Sequence, residues 1–423
     1  MTEKTMYIEK TLKNGVRFVG KADYSMRSVS IGIWVRAGSV NEKAQENGLS
    51  HFLEHMFFKG TEKRSAKTIA MDMDKIGANI NAFTAKECTC FYVSAVDENL
   101  PEALDCLMDI FTASSFDETE LEREKGVVLE EIAMAWDTPD DVAHEMAACR
   151  FFEGTPLGQT ILGPAENIRN AKREDLVYYK KSHYRPENIV ISAVGNFCEE
   201  ELFSMLEEGM KKLETVPAED SSFDYSTWKP KSGFYSVEKE IEQAHICISF
   251  PGIAYEDDRK YALSVISNAL GGSMSSRLFQ KIREEMGMAY SVYSYSSAYT
   301  DAGMFTLYAG TSQENAEEVT KLMLAECRDV AENGISDEEF ERSKAQLRGG
   351  FILSTESGQA IMNSIGKAAV MGKGLVTEDM LLAKLENVDK ETVREVAKEV
   401  FGSGIVSAVY VGKGGKELEK LFI

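Results

Sequence analysis

Short alternating runs of hydrophobic and polar residues open the chain and then give way to helical periodicity. Tyr7 to Leu12 and Val16 to Val19 flank Asn14-Gly15, which predicts a hairpin closed by a two-residue turn. Val29 to Val35 alternates as a strand, and the apolar period turns helical from Gly48 to Phe58. Ala78 to Thr84 and Cys90 to Val96 predict a second strand pair. Helical patterns cover Leu100 to Thr112, Asp117 to Trp136 and Pro139 to Phe152, and Ile189 to Val194 predicts a strand ending at Gly195-Asn196. Strands followed by runs of helices indicate an α+β fold with helices packed on a largely antiparallel sheet.

The periodicity fails between Val216 and Gly233, where Pro217-Ala218-Glu219-Asp220-Ser221-Ser222 is polar and turn-rich, as a linker would be. The order of elements then starts again. His245 to Phe250 matches the strand at Val29 to Val35, Lys260 to Leu270 and Ser275 to Glu285 supply helices, and Val292 to Tyr299 and Gly303 to Ala309 supply strands. The period of about 210 residues is too long for a solenoid and indicates two similarly folded halves. The expected division is therefore 1–215, a linker at 216–233, and 234–423.

Composition narrows the class. A chain of 423 residues with 43% hydrophobic and 27% charged residues can build more than one core. Its formal charge of −22 argues against nucleic acid or an anionic membrane as partner, and suits either solubility or the attraction of basic peptides. The opening residues Met1 to Tyr7 lack a signal- or transit-peptide profile and no apolar run reaches the length of a membrane span, so the cytoplasm is the expected compartment. Seven scattered cysteines match no redox or zinc-knuckle spacing and are expected as reduced packing residues.

The chemistry concentrates in His51-Phe52-Leu53-Glu54-His55. Histidines four apart on a helix present both imidazoles on one face, able to ligate one ion. Leu49, Phe52, Leu53, Met56 and Phe57 make the segment apolar enough to be buried, and two imidazoles beside a carboxylate are costly to bury without a function. Glu54, one residue before His55, projects beside the ion, where it can act as general base towards a water acidified by zinc. The order inverts the commoner H-E-x-x-H. A catalytic zinc needs a third protein ligand and an open position. The helix from Asp117 to Ile132 offers Glu131, with Glu124 seven residues earlier on the same face as Val127 and Val128 and in reach of a supporting role. Glu130 points about 100° away and suits solvent. Asp117 with Glu120 predicts a capping box.

With these segments the chain resembles the pitrilysin-type zinc peptidases, the inverzincins, and within them the mitochondrial processing peptidase subgroup and its bacterial relatives. The resemblance runs through His51 to Thr61, and through Val127-Val128-Leu129-Glu130-Glu131-Ile132 with Glu124 upstream. It extends to Asn81-Ala82-Phe83-Thr84, to His183-Tyr184-Arg185-Pro186-Glu187-Asn188, and to Gly271 through Phe279 with Arg283 and Tyr290 beyond. It implies two homologous halves closing like a clamshell around a peptide, with one Zn2+ per chain held by His51, His55 and Glu131 in the first half only. It further implies that Asn81, Ala82, Phe83 and Thr84 form an edge strand to which substrate adds as an extra strand, and that Arg283 and Tyr290 assist from the second half. Relatives of this length act as dimers, of one chain or with a paralogous silent partner. His144, His183 and His245 are expected to be structural.

The leading expectation is thus a zinc endopeptidase cleaving short or unfolded peptides in an enclosed chamber. A catalytically silent binding or assembly subunit of the same fold is the alternative. A purely structural zinc domain would require a fourth ligand that the sequence does not offer.

Overall fold

A computed structural model describes residues 5–217 and 223–422; the opening four residues and most of the 217–222 linker stretch lie outside the described residues. The chain forms two compact units. The first comprises Met1–Ile132, Gln159–Ser222 and Leu353–Glu378, and the second Ala133–Gly158, Phe223–Ile352 and Asp379–Ile423.

The first unit is built on six strands: β1 (Thr5–Thr11), β2 (Arg17–Asp23), β3 (Ser28–Val35), β4 (Asn79–Thr84), β5 (Thr89–Val96) and β6 (Ile189–Gly195). Their order is β1-β2-β6-β3-β5-β4, with β2 and β6 parallel and every other pair antiparallel. Helices α1 (Leu49–Phe57), α2 (Ala66–Lys75) and α3 (Leu100–Ala113) bury their apolar stripes in one core with this sheet. Phe57 of α1 sits at its centre, its ring against Phe91, Phe111, Phe116 and Tyr184. The first hairpin differs from the two-residue turn expected. Gly15 N–H donates to Leu12 C=O, Leu12 N–H to Val16 C=O, and Gly15 takes φ 96°, which makes a longer loop with a left-handed residue at its end.

The second unit is built on β7 (Gly233–Glu238), β8 (Gln243–Pro251), β9 (Ala289–Ala298), β10 (Gly303–Ser312) and β11 (Ser407–Gly412), in the order β7-β11-β8-β10-β9. Only β7 and β11 run parallel. With β1 set aside, the order and direction of strands repeat those of the first unit. The fold is therefore α+β, with two mainly antiparallel sheets of matching topology, each packed with helices.

The units do not follow the simple division of the sequence. Strand β3 is buried at every position but its first, rather than alternating, because a helix from the far end of the chain, Gly358–Val370, covers its second face. Gly366 makes the approach possible: a Cβ there would stand 2.1 Å from Trp34 Nε1, which donates to Ser192 Oγ at 2.8 Å. The second sheet is covered in the same way by a helix from the first half of the sequence. The long helix α4 (Glu118–Asp137) begins in the first unit and ends in the second, and α5 (Pro139–Phe151) follows it. Val142, Ala143 and Ala147 of α5 pack on Cys247, Tyr308, Val409 and Val411. The central strands of each sheet are buried on both faces, and helices of their own half cover only one.

Smaller differences also have local causes. Ser275 to Glu285 was expected as an ordinary helix, but Phe279–Glu285 winds as a π-helix, a difference in pitch that apolar spacing does not encode. All seven cysteines are free thiols; Cys198 is exposed and so is not a packing residue. No helix among the described residues is long and apolar enough to cross a membrane.

Candidate metal centre

Helix α1 starts at Gly48, whose φ of 104° only glycine adopts readily, and whose missing side chain makes room for the Leu162 carbonyl. Leu49, Phe52, Leu53, Met56 and Phe57 face the core, which leaves His51, Glu54 and His55 together on the opposite, half-buried side. The two imidazole rings lie 4.6 Å apart, centre to centre.

Helix α4 brings the carboxylates to them. Asp117 caps its first turn, accepting from Thr119 N–H at 2.8 Å and Glu120 N–H at 3.2 Å, while Glu120 pairs with Arg123. About four turns along, Glu131 Oε2 stands 3.7 Å from His51 Nε2 and 3.4 Å from His55 Nε2. The ligand atoms of His51, His55 and Glu131 all lie within 4.8 Å of one another, and this is the one such group of three or more among the described residues. Ligands at about 2.0–2.1 Å around a tetrahedral zinc stand roughly 3.3–3.4 Å apart, so the donor set and its spacing fit that ion.

Glu124, only 4% exposed, spans His55 and Lys59, accepting at 2.8 Å from His55 Nδ1 and at 2.7 Å from Lys59 Nζ. A proton on Nδ1 directed at Glu124 leaves Nε2 as the free lone pair on the side of Glu131. Burial alone would raise the Glu124 carboxyl, but the hydrogen bonds from His55 and Lys59 hold it below its ordinary value. Burial likewise opposes charge on His55, yet the Glu124 bond and the surrounding carboxylates raise its pKa. His51 has no such partner. Burial, with His55 adding to it, pushes His51 down to about 4, and its buried Nδ1 has no hydrogen-bond partner among the described residues.

Glu54 accepts a hydrogen bond from the Thr84 hydroxyl, which belongs to β4. Burial is the main reason its carboxyl is raised, with the Thr84 bond acting in the opposite sense. Among the described residues strand β4 is hydrogen-bonded on one side only, to β5, so Asn81, Ala82, Phe83 and Thr84 lie on an open sheet edge. There Ala82 N–H donates to Asn81 Oδ1 at 2.8 Å, and the Phe83 ring stands 5.6 Å from Trp34.

Arg283 and Tyr290 fall in the second unit. The Arg283 guanidinium lies between rings, 4.7 Å from Phe279 and 5.0 Å from Tyr290, and Tyr290 on β9 is 76% exposed. His144 bonds the hydroxyls of Tyr295 and Tyr293, and His245 bonds that of Tyr308. His183 packs on the Tyr179 ring. Glu130 is exposed. Val127, expected on the carboxylate face, is 46% exposed, whereas Val128 is fully buried. Sequence reasoning passed over Lys59, though its spacing of four from His55 was a usable signal.

The chain matches known proteins along most of its length. Residues 17–165 match the family model described as insulinase, peptidase family M16, and residues 170–347 match the peptidase M16 inactive domain. An uncharacterized zinc protease of Bacillus subtilis is 40% identical over 391 residues, covering 92% of this chain and 95% of that protein. One of Streptomyces coelicolor is 38% identical, covering 93% and 86%. Among solved structures, a protease from Helicobacter pylori shares the fold with a TM-score of 0.88 at 21% identity, covering 97% of this chain and 100% of that one. With both halves matched in order, and relatives named as zinc proteases aligned along nearly its whole length, the chain belongs to peptidase family M16.

Proposed function

We propose that the chain is a zinc endopeptidase acting on short or unfolded peptides. The observation that carries this reading is the convergence of His51, His55 and Glu131 on one point with Glu54 beside them. His51 Nε2, His55 Nε2 and a Glu131 oxygen would hold one zinc per chain. When bound, zinc supplies Lewis acidity and makes water acidic enough to lose a proton near neutral pH. Glu54 takes that proton on its carboxylate and delivers it to the departing amine. Thr84 engages Oε2 and fixes the carboxylate's orientation, leaving Oε1 for the proton. Glu124 holds the His55 ring.

The open edge of β4 suits a substrate that adds as a further strand through backbone hydrogen bonds, with Asn81 Oδ1 giving up Ala82 N–H to it. Arg283 and Tyr290 are proposed to assist at the substrate, and basic peptides to be preferred by a chain of net charge −22. A dimer, of this chain or with a paralogue, in the cytoplasm completes the proposal.

The test is zinc content together with cleavage of a quenched basic peptide, for the wild type and Glu54→Gln. Stoichiometric zinc in both with turnover in the wild type alone is expected. Cleavage by the variant refutes the role of Glu54, and a protein that binds no zinc returns the reading to a silent binding subunit.

A further inference from the structure

The two histidines of α1 are held differently. His55 is oriented through its ring by Glu124, whereas the His51 ring has no hydrogen-bond partner at Nδ1 among the described residues. The position of His51 therefore depends on the backbone of the first turn of α1, and that turn lacks an ordinary cap. A helix of nine residues is marginal by itself, and its first N–H groups need acceptors. The usual Ser, Thr, Asp or Asn cannot serve at position 48. The left-handed φ disfavours a side chain there, and a Cβ would stand 2.6 Å from Leu162 C=O.

The cap comes from six residues upstream. Glu42, 4% exposed, directs its carboxylate at the start of α1. Oε2 accepts from Gly48 N–H and from Asn47 Nδ2, each at 2.8 Å, and Oε1 accepts from Ser50 N–H at 2.6 Å, one residue before His51. The surrounding segment braces the same point. Asn47 Nδ2 also donates to Thr160 C=O, Gln159 Nε2 donates to Glu42 C=O, and the Ser50 and Tyr179 hydroxyls are 2.8 Å apart. A buried carboxylate at a helix N-terminus also meets the favourable end of the helix dipole.

We infer that Glu42 is the positioning residue for His51, fixing that ligand through the backbone as Glu124 fixes His55 through its ring. The inference rests on the reading of His51 as a zinc ligand. Glu42→Gln keeps the size of the side chain but turns an NH2 towards backbone donors. Glu42→Asp keeps the charge but falls one methylene short.

Zinc affinity, measured by chelator competition on the folded variants, is expected to fall roughly tenfold or more in Glu42→Gln, the range found when groups supporting metal ligands are removed. The visible spectrum of the cobalt-substituted protein should change, and kcat should fall with KM unchanged; a merely structural role would move neither. Glu42→Asp should lie between this variant and the wild type. Wild-type zinc affinity and an unchanged cobalt spectrum in both variants overturn the inference. Amide hydrogen exchange in the metal-free wild type gives a test that needs no variant: Gly48 and Ser50 N–H should be as protected as the interior of α1, and rapid exchange at both overturns the inference. If the wild type binds no zinc, the proposed function falls, while the exchange measurement still decides whether Glu42 caps α1.

Discussion

Replacing Glu124 with Gln tests how the site is held as a unit. The carboxylate is almost fully buried and makes two bonds to nitrogen, at 2.8 Å to His55 and 2.7 Å to Lys59. A hydrogen bond to a charged group contributes about 1.5–3 kcal/mol net. Lys59 is half-buried and can turn back to water, so its share belongs at the low end, whereas the His55 ring cannot move without displacing the ligand. Gln still accepts from Nδ1–H but sets its NH2 against the Lys59 ammonium. The metal-free variant should therefore lose about 2–3 kcal/mol of stability, and zinc should bind 10–100-fold more weakly, or about 1.4–2.8 kcal/mol. Denaturant titration of the metal-free protein and chelator competition measure the two separately. A cycle with Lys59→Met should show coupling in stability, because both single changes remove the same ion pair. A zinc affinity within twofold of wild type in Glu124→Gln would refute the argument that the negative charge of this carboxylate supports His55 as a ligand.

Three other outcomes are expected. Chelation should abolish cleavage and lower Tm, because free zinc at a hundred times Kd stabilises the folded chain by about 2.7 kcal/mol; identical melting with and without chelator would contradict the site. Gly366→Ala should cost about 1–3 kcal/mol through overpacking against Trp34, seen as a lower Tm and a red-shifted tryptophan emission, and a wild-type Tm would mean that the helix Gly358–Val370 is not seated this closely. In the second unit burial would raise the Glu339 carboxyl, but hydrogen bonds from Arg277 and Ser336 outweigh it and hold the pKa at about 2. A depressed carboxyl stabilises above its unfolded value near 4.5 and loses that contribution as pH falls towards 2, so Arg277→Gln should cost up to about 3 kcal/mol at neutral pH. That deficit should shrink between pH 4.5 and 2 in denaturation midpoints, and a deficit independent of pH would refute the assignment.

The candidate metal-binding face could be read from the sequence because it is local. Spacings of one and four on a single short helix fix the relation of Glu54 to His55 and of His51 to His55 before anything else is known. Glu131 was reachable through a second local pattern, its two-turn spacing from Glu124; on that face Val128 is buried and Val127 exposed, because an apolar residue on a long helix need not face the core. Lys59 could have been found from its spacing. Glu42 could not, because a cap delivered from outside the helix leaves no mark at the capping position, where the sequence shows only Gly48. The burial of β3 on both faces depends on a helix more than three hundred residues away in sequence, and no window along the chain contains both. The π-helix at Phe279–Glu285 escaped for a different reason, since it uses the same residue types as an ordinary helix.

The exchange of covering helices bears on how this protein is made. As the chain leaves the ribosome, the first sheet has all six strands once Gly195 has emerged, yet one face of β3 and β6 stays bare until Gly358–Val370 is synthesised. At about 5–20 residues per second that wait lasts on the order of ten seconds or more. During it an apolar sheet face must be shielded by a chaperone or by transient contacts of the nascent chain. For the same reason a gene fragment ending in the linker would encode every proposed zinc ligand but lack the covering helix, and its product should aggregate. A fragment pair meant to reassemble must supply that helix separately.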